Sequence, residues 1–149
     1  MEEIGPSDAI KLEVGIDDWL HLVFNVDKHK FHLKDSIEGT VRFKKVSIKL
    51  VSMELQMIRK EIISGGNSKT INTPLCKYEI MDGAPIRNET IPFKWFISPY
   101  DFTPTFKNIN NRLQVLYYIN LVLIDAEDRR YFKQHEVDLI RLDKKFYQK

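Results

Sequence analysis

The chain has 149 residues, room for one domain and not for two independent cores. Hydrophobic residues make up 43 %, which excludes a disordered segment. Lys plus Arg at 23 against Asp plus Glu at 21 leaves a net charge of +2, too little for the one-sign field of a nucleic-acid binder. The single cysteine, Cys76, forms no internal disulfide, and residues 1–10 carry Glu2, Glu3 and Asp8 where a secretory signal needs positive charge and an apolar run. A cytoplasmic setting is expected. The longest uncharged stretch, residues 113–124, falls well short of the ~20 residues that span a bilayer, so any membrane role is expected to be peripheral.

Gly5, Pro6 and Ser7 suggest that residues 1–9 are a flexible lead or linker remnant, with residues 10–141 as the domain and 142–149 as a tail. From residue 10 onward the dominant period is two. Leu20, Leu22, Phe24 and Val26 alternate with Trp19, His21, Val23 and Asn25, which predicts a strand, and Ile37, Gly39, Val41 and Phe43 predict another. Val46, Ile48 and Leu50 alternate on one parity and Met53, Leu55 and Met57 on the other. The slip at Val51 and Ser52 predicts one bent strand over residues 46–61 with a β-bulge, against a helix as rival, since Met, Leu, Gln and Lys favour helices.

Ser64-Gly65-Gly66-Asn67-Ser68 predicts a loop, and the polar stretch beyond it extends that loop through Thr73-Pro74. Strands are predicted over 75–80, 89–97 and 113–124. Pro92 confines part of the second to an edge, a bulge or a strand start, and the apolar run around 115–124 reads as a central strand buried on both faces. Asp125 to Arg129 turns the chain into a last strand over 131–140. One short helical turn is predicted over 105–111, after Pro104. Seven or so strands with turn signals between them predict an all-β antiparallel sandwich.

Few residues suggest chemistry. His29 and His32 supply two possible metal ligands, while Cys76, His21 and His135 stand at no recognisable ligand spacing. Asp125, Glu127 and Asp128 form an acidic turn, expected to be a solvated hairpin neutralised by Arg129, Arg130 and Lys133. Lys44, Lys45 and Lys49 form a basic stripe that fits a solvated strand face better than an anionic lipid surface. No metal, cofactor or catalytic residue is expected. Ile80 and Met81 stand beside the turn signals Asp82-Gly83 and Ala84-Pro85; periodicity favours placing them in the core, the alternative being an exposed anchor for a partner.

Several segments carry a resemblance. Residues 78–85, Tyr100-Asp101-Phe102-Thr103-Pro104-Thr105, Asn120-Leu121-Val122-Leu123-Ile124-Asp125 and Arg129-Arg130-Tyr131-Phe132-Lys133-Gln134, with Val14-Gly15-Ile16-Asp17-Asp18 and His32-Leu33-Lys34-Asp35 before them, are similar in type and order to the vacuolar protein sorting-associated protein 26 family, the arrestin-like subunit of retromer. The similarity runs from about Val14 to Val137 and corresponds to the C-terminal of two tandem arrestin-like (immunoglobulin-like) lobes. Residues 63–75 and the end from Asp138 depart from the family pattern.

The resemblance implies an arrestin-like sandwich, which turns down the helical rival, and a non-enzymatic scaffold in a coat that retrieves cargo from endosomes to the Golgi or the plasma membrane. It implies that Ile80, Met81, Asp82, Gly83, Ala84 and Pro85 bind the large α-solenoid subunit, reversing the core preference for Ile80 and Met81. It further implies that Val14 and Phe132 hold the cytosolic tail of a transmembrane cargo together with a phosphoinositide-binding sorting nexin, against an inward strand position for Phe132. Membrane association would then be peripheral, on endosomes and through partners. The rival readings are a metal-dependent ligand-binding or hydrolytic sandwich built on the Asp125 turn, and an arrestin-like adaptor of another trafficking complex.

Overall fold

The structure, a computed structural model, describes residues 9–65, 68–83, 85–86, 88–97, 100, 102–107 and 112–141. The expected lead, apart from Ala9, and the expected tail lie outside the described residues. Alternation of apolar and polar side chains sets the strands, which in chain order are β1 (Ile10–Ile16), β2 (Leu20–Val26), β3 (Lys30–His32), β4 (Ser36–Val46), β5 (Leu50–Ile63), β6 (Lys69–Asp82), β7 (Thr90–Phe96), β8 (Phe106–Lys107), β9 (Leu113–Asp125) and β10 (Arg130–Ile140). No helix occurs among the described residues.

Two sheets result, one ordered β1-β2-β4-β7 and the other β3-β10-β9-β5-β6, with β8 beside β9. All pairs are antiparallel except β3 with β10, where Lys30, Phe31 and His32 lie in parallel register with Asp138, Leu139 and Ile140. Leu20, Leu22, Phe24 and Val26 of β2, Val41 and Phe43 of β4, Met53, Leu55 and Met57 of β5, and Ile119, Leu121 and Leu123 of β9 are buried in a single apolar cluster. Full burial of each such side chain stabilises the fold by about 1.5–3 kcal/mol. The all-β sandwich is therefore as expected, and β9 is its central, doubly covered strand, with Val122 as well as Leu121 and Leu123 buried.

Gly39 lets β2, β4 and β7 come together. It pairs with Val26 on one side and Phe93 on the other. A Cβ there would stand 2.0 Å from the Asn25 carbonyl oxygen and 2.8 Å from the Phe93 ring, so only glycine fits.

The predicted bent strand is partly corrected. The register of β5 on β9 does shift between Leu50 and Ser52, leaving Val51 as the bulged residue that the parity slip required. Residues 47–49, however, form a turn in which Ser47 and Ile48 donate their N–H groups to the Trp19 carbonyl at 2.5 and 3.2 Å, so Val46 ends β4. Val46, the last residue of β4, and Ile48, in the turn, both pack on the core, which is why they mimic a strand period.

The loop expected to run to Pro74 is shorter. Residues 69–74 pair with residues 58–63 of β5, and β6 is an edge strand, so polar side chains and Pro74 are accommodated without loss of ladder bonds. Pro74 adjoins a register shift between Met57 and Ile58. Pro92 likewise lies in β7, the edge of the other sheet, as its chemistry demanded.

The predicted helical turn after Pro104 is also corrected. Thr105 donates its N–H to the Leu139 carbonyl at 2.7 Å, and Phe106 and Lys107 pair with Val115 and Gln114 as β8. An open stretch of β9 offered backbone partners that an isolated helical turn would have lacked. Residues 108–111 of that candidate lie outside the described residues. The preceding motif acts as a strap: Tyr100 stacks on Phe102, and Thr103 donates its N–H to the buried Tyr117 hydroxyl at 3.2 Å.

Candidate functional site

The two flanks of the sandwich differ. On one, β6 and β7 approach and Tyr78 stacks on Trp95 with ring centroids 6.1 Å apart, closing the gap between sheets. On the other, β1 and β10 leave an open groove of about 530 Å³, lined by residues 13–16 and 130–133. β1 ends its sheet, and β3 covers β10 only at Asp138–Ile140, so among the described residues no strand pairs with the outer side of β1 or of residues 130–137. Unpaired backbone N–H and C=O groups of this kind can accept an extended chain as an added strand.

Val14 and Phe132, far apart in sequence, both line this groove. Val14 is half-buried and packs on the core from β1, whereas Phe132 is 59 % exposed. Of the two readings weighed for Phe132, the inward strand position is therefore corrected. Phe132 pairs with Val122, on the parity opposite to Tyr131, which packs on the core. The walls carry opposite charges, Glu13 from β1 and Arg130 and Lys133 from β10, and Glu13 lies 3.7 Å from His21 Nε2.

Immediately before this wall, the β9–β10 turn closes on one carboxylate. Asp125, only 2 % exposed, accepts the Glu127 and Arg129 N–H groups on Oδ1 at 3.0 and 2.8 Å. On Oδ2 it accepts Arg129 Nε–H at 2.9 Å and the Tyr131 hydroxyl at 3.0 Å. Burial, the largest single influence, pushes the Asp125 pKa up, but hydrogen bonds from Arg129, Tyr131 and Glu127 together outweigh it and hold the carboxyl below its ordinary value. The solvated hairpin expected here is thus half right. Glu127 and Asp128 are exposed, Arg129 bonds both Glu127 and Asp125, and Asp125 itself is interior. With both oxygens engaged by protein donors, Asp125 does not form the converging carboxylate site of the metal-dependent reading. The spacing of an Asp before a turn whose i+2 N–H it accepts, with Arg and Tyr following, was the available signal for this role.

Ile80, Met81 and Asp82 end β6, and Gly83 turns the chain with φ 122° while donating its N–H to the Val51 carbonyl at 2.8 Å. Met81 pairs with buried Met53 and Glu79 with Glu54, so Ile80 is the extra residue of a bulge. Both apolar side chains are half-buried and pack on the core, between the two positions weighed from sequence. Pro85 is half-buried in the following turn, and Ala84 lies outside the described residues.

The remaining candidates do not converge. His32 Nε2 lies 3.7 Å from an Asp35 oxygen that also pairs with Lys28, and among the described residues no three His, Cys, Asp or Glu side chains gather as a metal site. Lys44, Lys45 and Lys49 are exposed, the first as the bulged residue opposite His21 and Leu22. Burial pushes the Cys76 thiol up to about 11, partly offset by a backbone hydrogen bond from Met57.

The chain is 51 % identical over 137 residues to vacuolar protein sorting-associated protein 26B of Arabidopsis thaliana, covering 91 % of this chain and 45 % of that protein. It is 50 % identical over 136 residues to vacuolar protein sorting-associated protein 26 of Plasmodium falciparum, covering 91 % of this chain and 46 % of the relative. The chain thus spans about half the length of the curated relatives it matches. Among solved structures, the crystal structure of Spo0M, a sporulation control protein from Bacillus subtilis, superposes with a TM-score of 0.63 at 13 % identity, over 81 % of this chain and 49 % of that one, a likeness of fold alone. Residues 3–128 match the family model for vacuolar protein sorting-associated protein 26, and the chain, an arrestin-like sandwich, belongs to that family.

Proposed function

We propose that this chain is a non-catalytic scaffold lobe of the retromer coat, which gathers transmembrane cargo on endosomes for return to the Golgi or the plasma membrane. The end of β6 and the turn after it, from Ile80 to Pro85, take the N-terminal end of the large α-solenoid subunit. The groove of Val14 and Phe132 takes a cargo tail in company with a phosphoinositide-binding sorting nexin. Family membership and the vacuolar-sorting names of its relatives support the coat assignment. The observation that carries the binding role is the meeting of Val14 and exposed Phe132 beside two unpaired strand edges, where main-chain bonds would supply affinity and the apolar side chains selectivity. Membrane attachment is peripheral and through partners; no helix among the described residues is long and apolar enough to cross a bilayer.

A pull-down with the solenoid subunit, and separately with a sorting nexin and cargo-tail peptide, tests this reading. Phe132→Ala is expected to lose the nexin and cargo while retaining the solenoid. Its melt should stay near wild type, because the ring is mostly exposed. Phe43→Ala, which empties a fully buried site, is expected to cost about 3–5 kcal/mol. Failure of wild type to bind either partner, or loss of both partners by Phe132→Ala with an early melt, refutes the assignment.

A further inference from the structure

We propose that Asp125 is a positioning residue for the groove, holding the first residues of β10 in the conformation that presents Phe132 although it does not itself touch the ligand. The inference rests on the reading of the groove as a ligand site and names a residue that sets its shape.

The four donors on this carboxylate divide by position. The N–H groups of Glu127 and Arg129 fix the turn, while Arg129 Nε–H and Tyr131 O–H tie down the side chains immediately before and after Arg130, itself a groove residue. Phe132 follows directly. The carboxylate is anchored to the rest of the fold by its own backbone. Asp125 pairs with Leu50 of β5, and the next residue, Ala126, donates its N–H to the Lys49 carbonyl at 2.9 Å.

This matters because the wall is supported from one side only. Residues 130–137 pair with β9, and among the described residues no strand lies beyond them until β3 at Asp138. Of the four bonds on Asp125, the one from the Tyr131 hydroxyl reaches into this span and the other three fix the turn that feeds it. An asparagine at this position would keep one acceptor oxygen and turn an NH₂ toward donors, so at least one side of the carboxylate's hydrogen bonding must open. Tyr131→Phe is gentler: the ring keeps its packing on the core and only the hydroxyl, which points to Asp125, is lost.

The test measures a fluorescein-labelled cargo-tail peptide with a sorting nexin by anisotropy, and the solenoid subunit by pull-down, on the same preparations. Tyr131→Phe and Asp125→Asn are each expected to weaken the peptide by about fivefold or more, the low end of coupling between linked positions, with solenoid binding unchanged. The backbone amide resonances of Glu127 and Arg129 report whether the bonds to residue 125 have opened. Opened bonds with wild-type peptide affinity, in a protein where Phe132→Ala still abolishes binding, overturn the positioning role. Loss of both partners together in Tyr131→Phe also overturns it, because that is general unfolding and not local positioning. If Phe132→Ala too leaves the peptide unaffected, the groove reading fails first, and the positioning role with it.

Discussion

Replacing Ile80 and Met81 together with alanine separates their two duties, because both side chains are half-buried and pack on the core. Complete burial of a large apolar side chain is worth about 1.5–3 kcal/mol, and with both side chains already mostly covered about a third of that, roughly 0.5–1 kcal/mol each, remains for a partner to gain. Removing both should weaken the solenoid subunit by about 1–2 kcal/mol, a factor of about 5–30 in Kd. Truncating a fully buried Ile or Met costs about 2–5 kcal/mol, and at this partial burial the pair should cost the fold about 3–7 kcal/mol in total. A domain in the upper part of the usual range of about 5–15 kcal/mol survives that loss. Aspartate would be the wrong substitution, since Met81 pairs with fully buried Met53 and a charge there would face the core. Isothermal calorimetry with the solenoid subunit, alongside circular dichroism and a thermal melt, makes the measurement. A folded double variant that binds as wild type refutes the assignment of this turn, and loss of binding only where the melt shows an unfolded population refutes the interface role of these side chains.

Gly39→Ala should destabilise the fold by about 3 kcal/mol or more and lower the urea midpoint accordingly, because the new Cβ would meet the Asn25 carbonyl oxygen at 2.0 Å; an unchanged midpoint would contradict the close strand approach. Cys76, with its thiol pushed up to about 11 by burial, should react with iodoacetamide much more slowly at pH 8 in the folded protein than in urea, and equal rates by mass spectrometry would contradict that environment. The folded-state pKa of Asp125 is lowered, so its ionised form stabilises the fold above the unfolded carboxylate value, about 3.9, and that contribution is lost as pH falls through the lowered one. The stability gap between wild type and Asp125→Asn should accordingly be open at pH 7 and narrow below about pH 4; a gap independent of pH would rule out this role for the charge.

Much of the architecture was legible because it rests on period two. The strands around Val41 and Leu55 bury one parity, the strand around Leu121 stood out as an apolar run buried on both, and the β5 bulge declared itself as a change of parity at Val51. β3 and β8, with three and two residues, are too short to hold a period and exist through partners remote in sequence. Residues 69–74 read as a loop because an edge strand beyond the core needs no apolar alternation. The groove was less visible. Val14 and Phe132 came from resemblance, whereas their companions Glu13 and Arg130 meet only once both sheets are assembled. Asp125 was misjudged for a physical reason: charge in a turn normally faces water, and its burial is possible only because four donors converge on it.

The unequal flanks have a consequence for amide exchange. β6 and β7 each carry a proline, Pro74 and Pro92, where β1 and β10 have none, so the closed flank has two fewer hydrogens to trade with deuterium and its sheets are latched by an aromatic stack. On the other flank the outward N–H groups of β1 and of residues 130–137 have no strand among the described residues to shelter them, and they should exchange within the earliest time points, long before β5 and β9. A peptide that docks by backbone pairing must silence alternate amides along one of those edges, whereas one held by its side chains alone would leave that fast, every-other-residue signal in place.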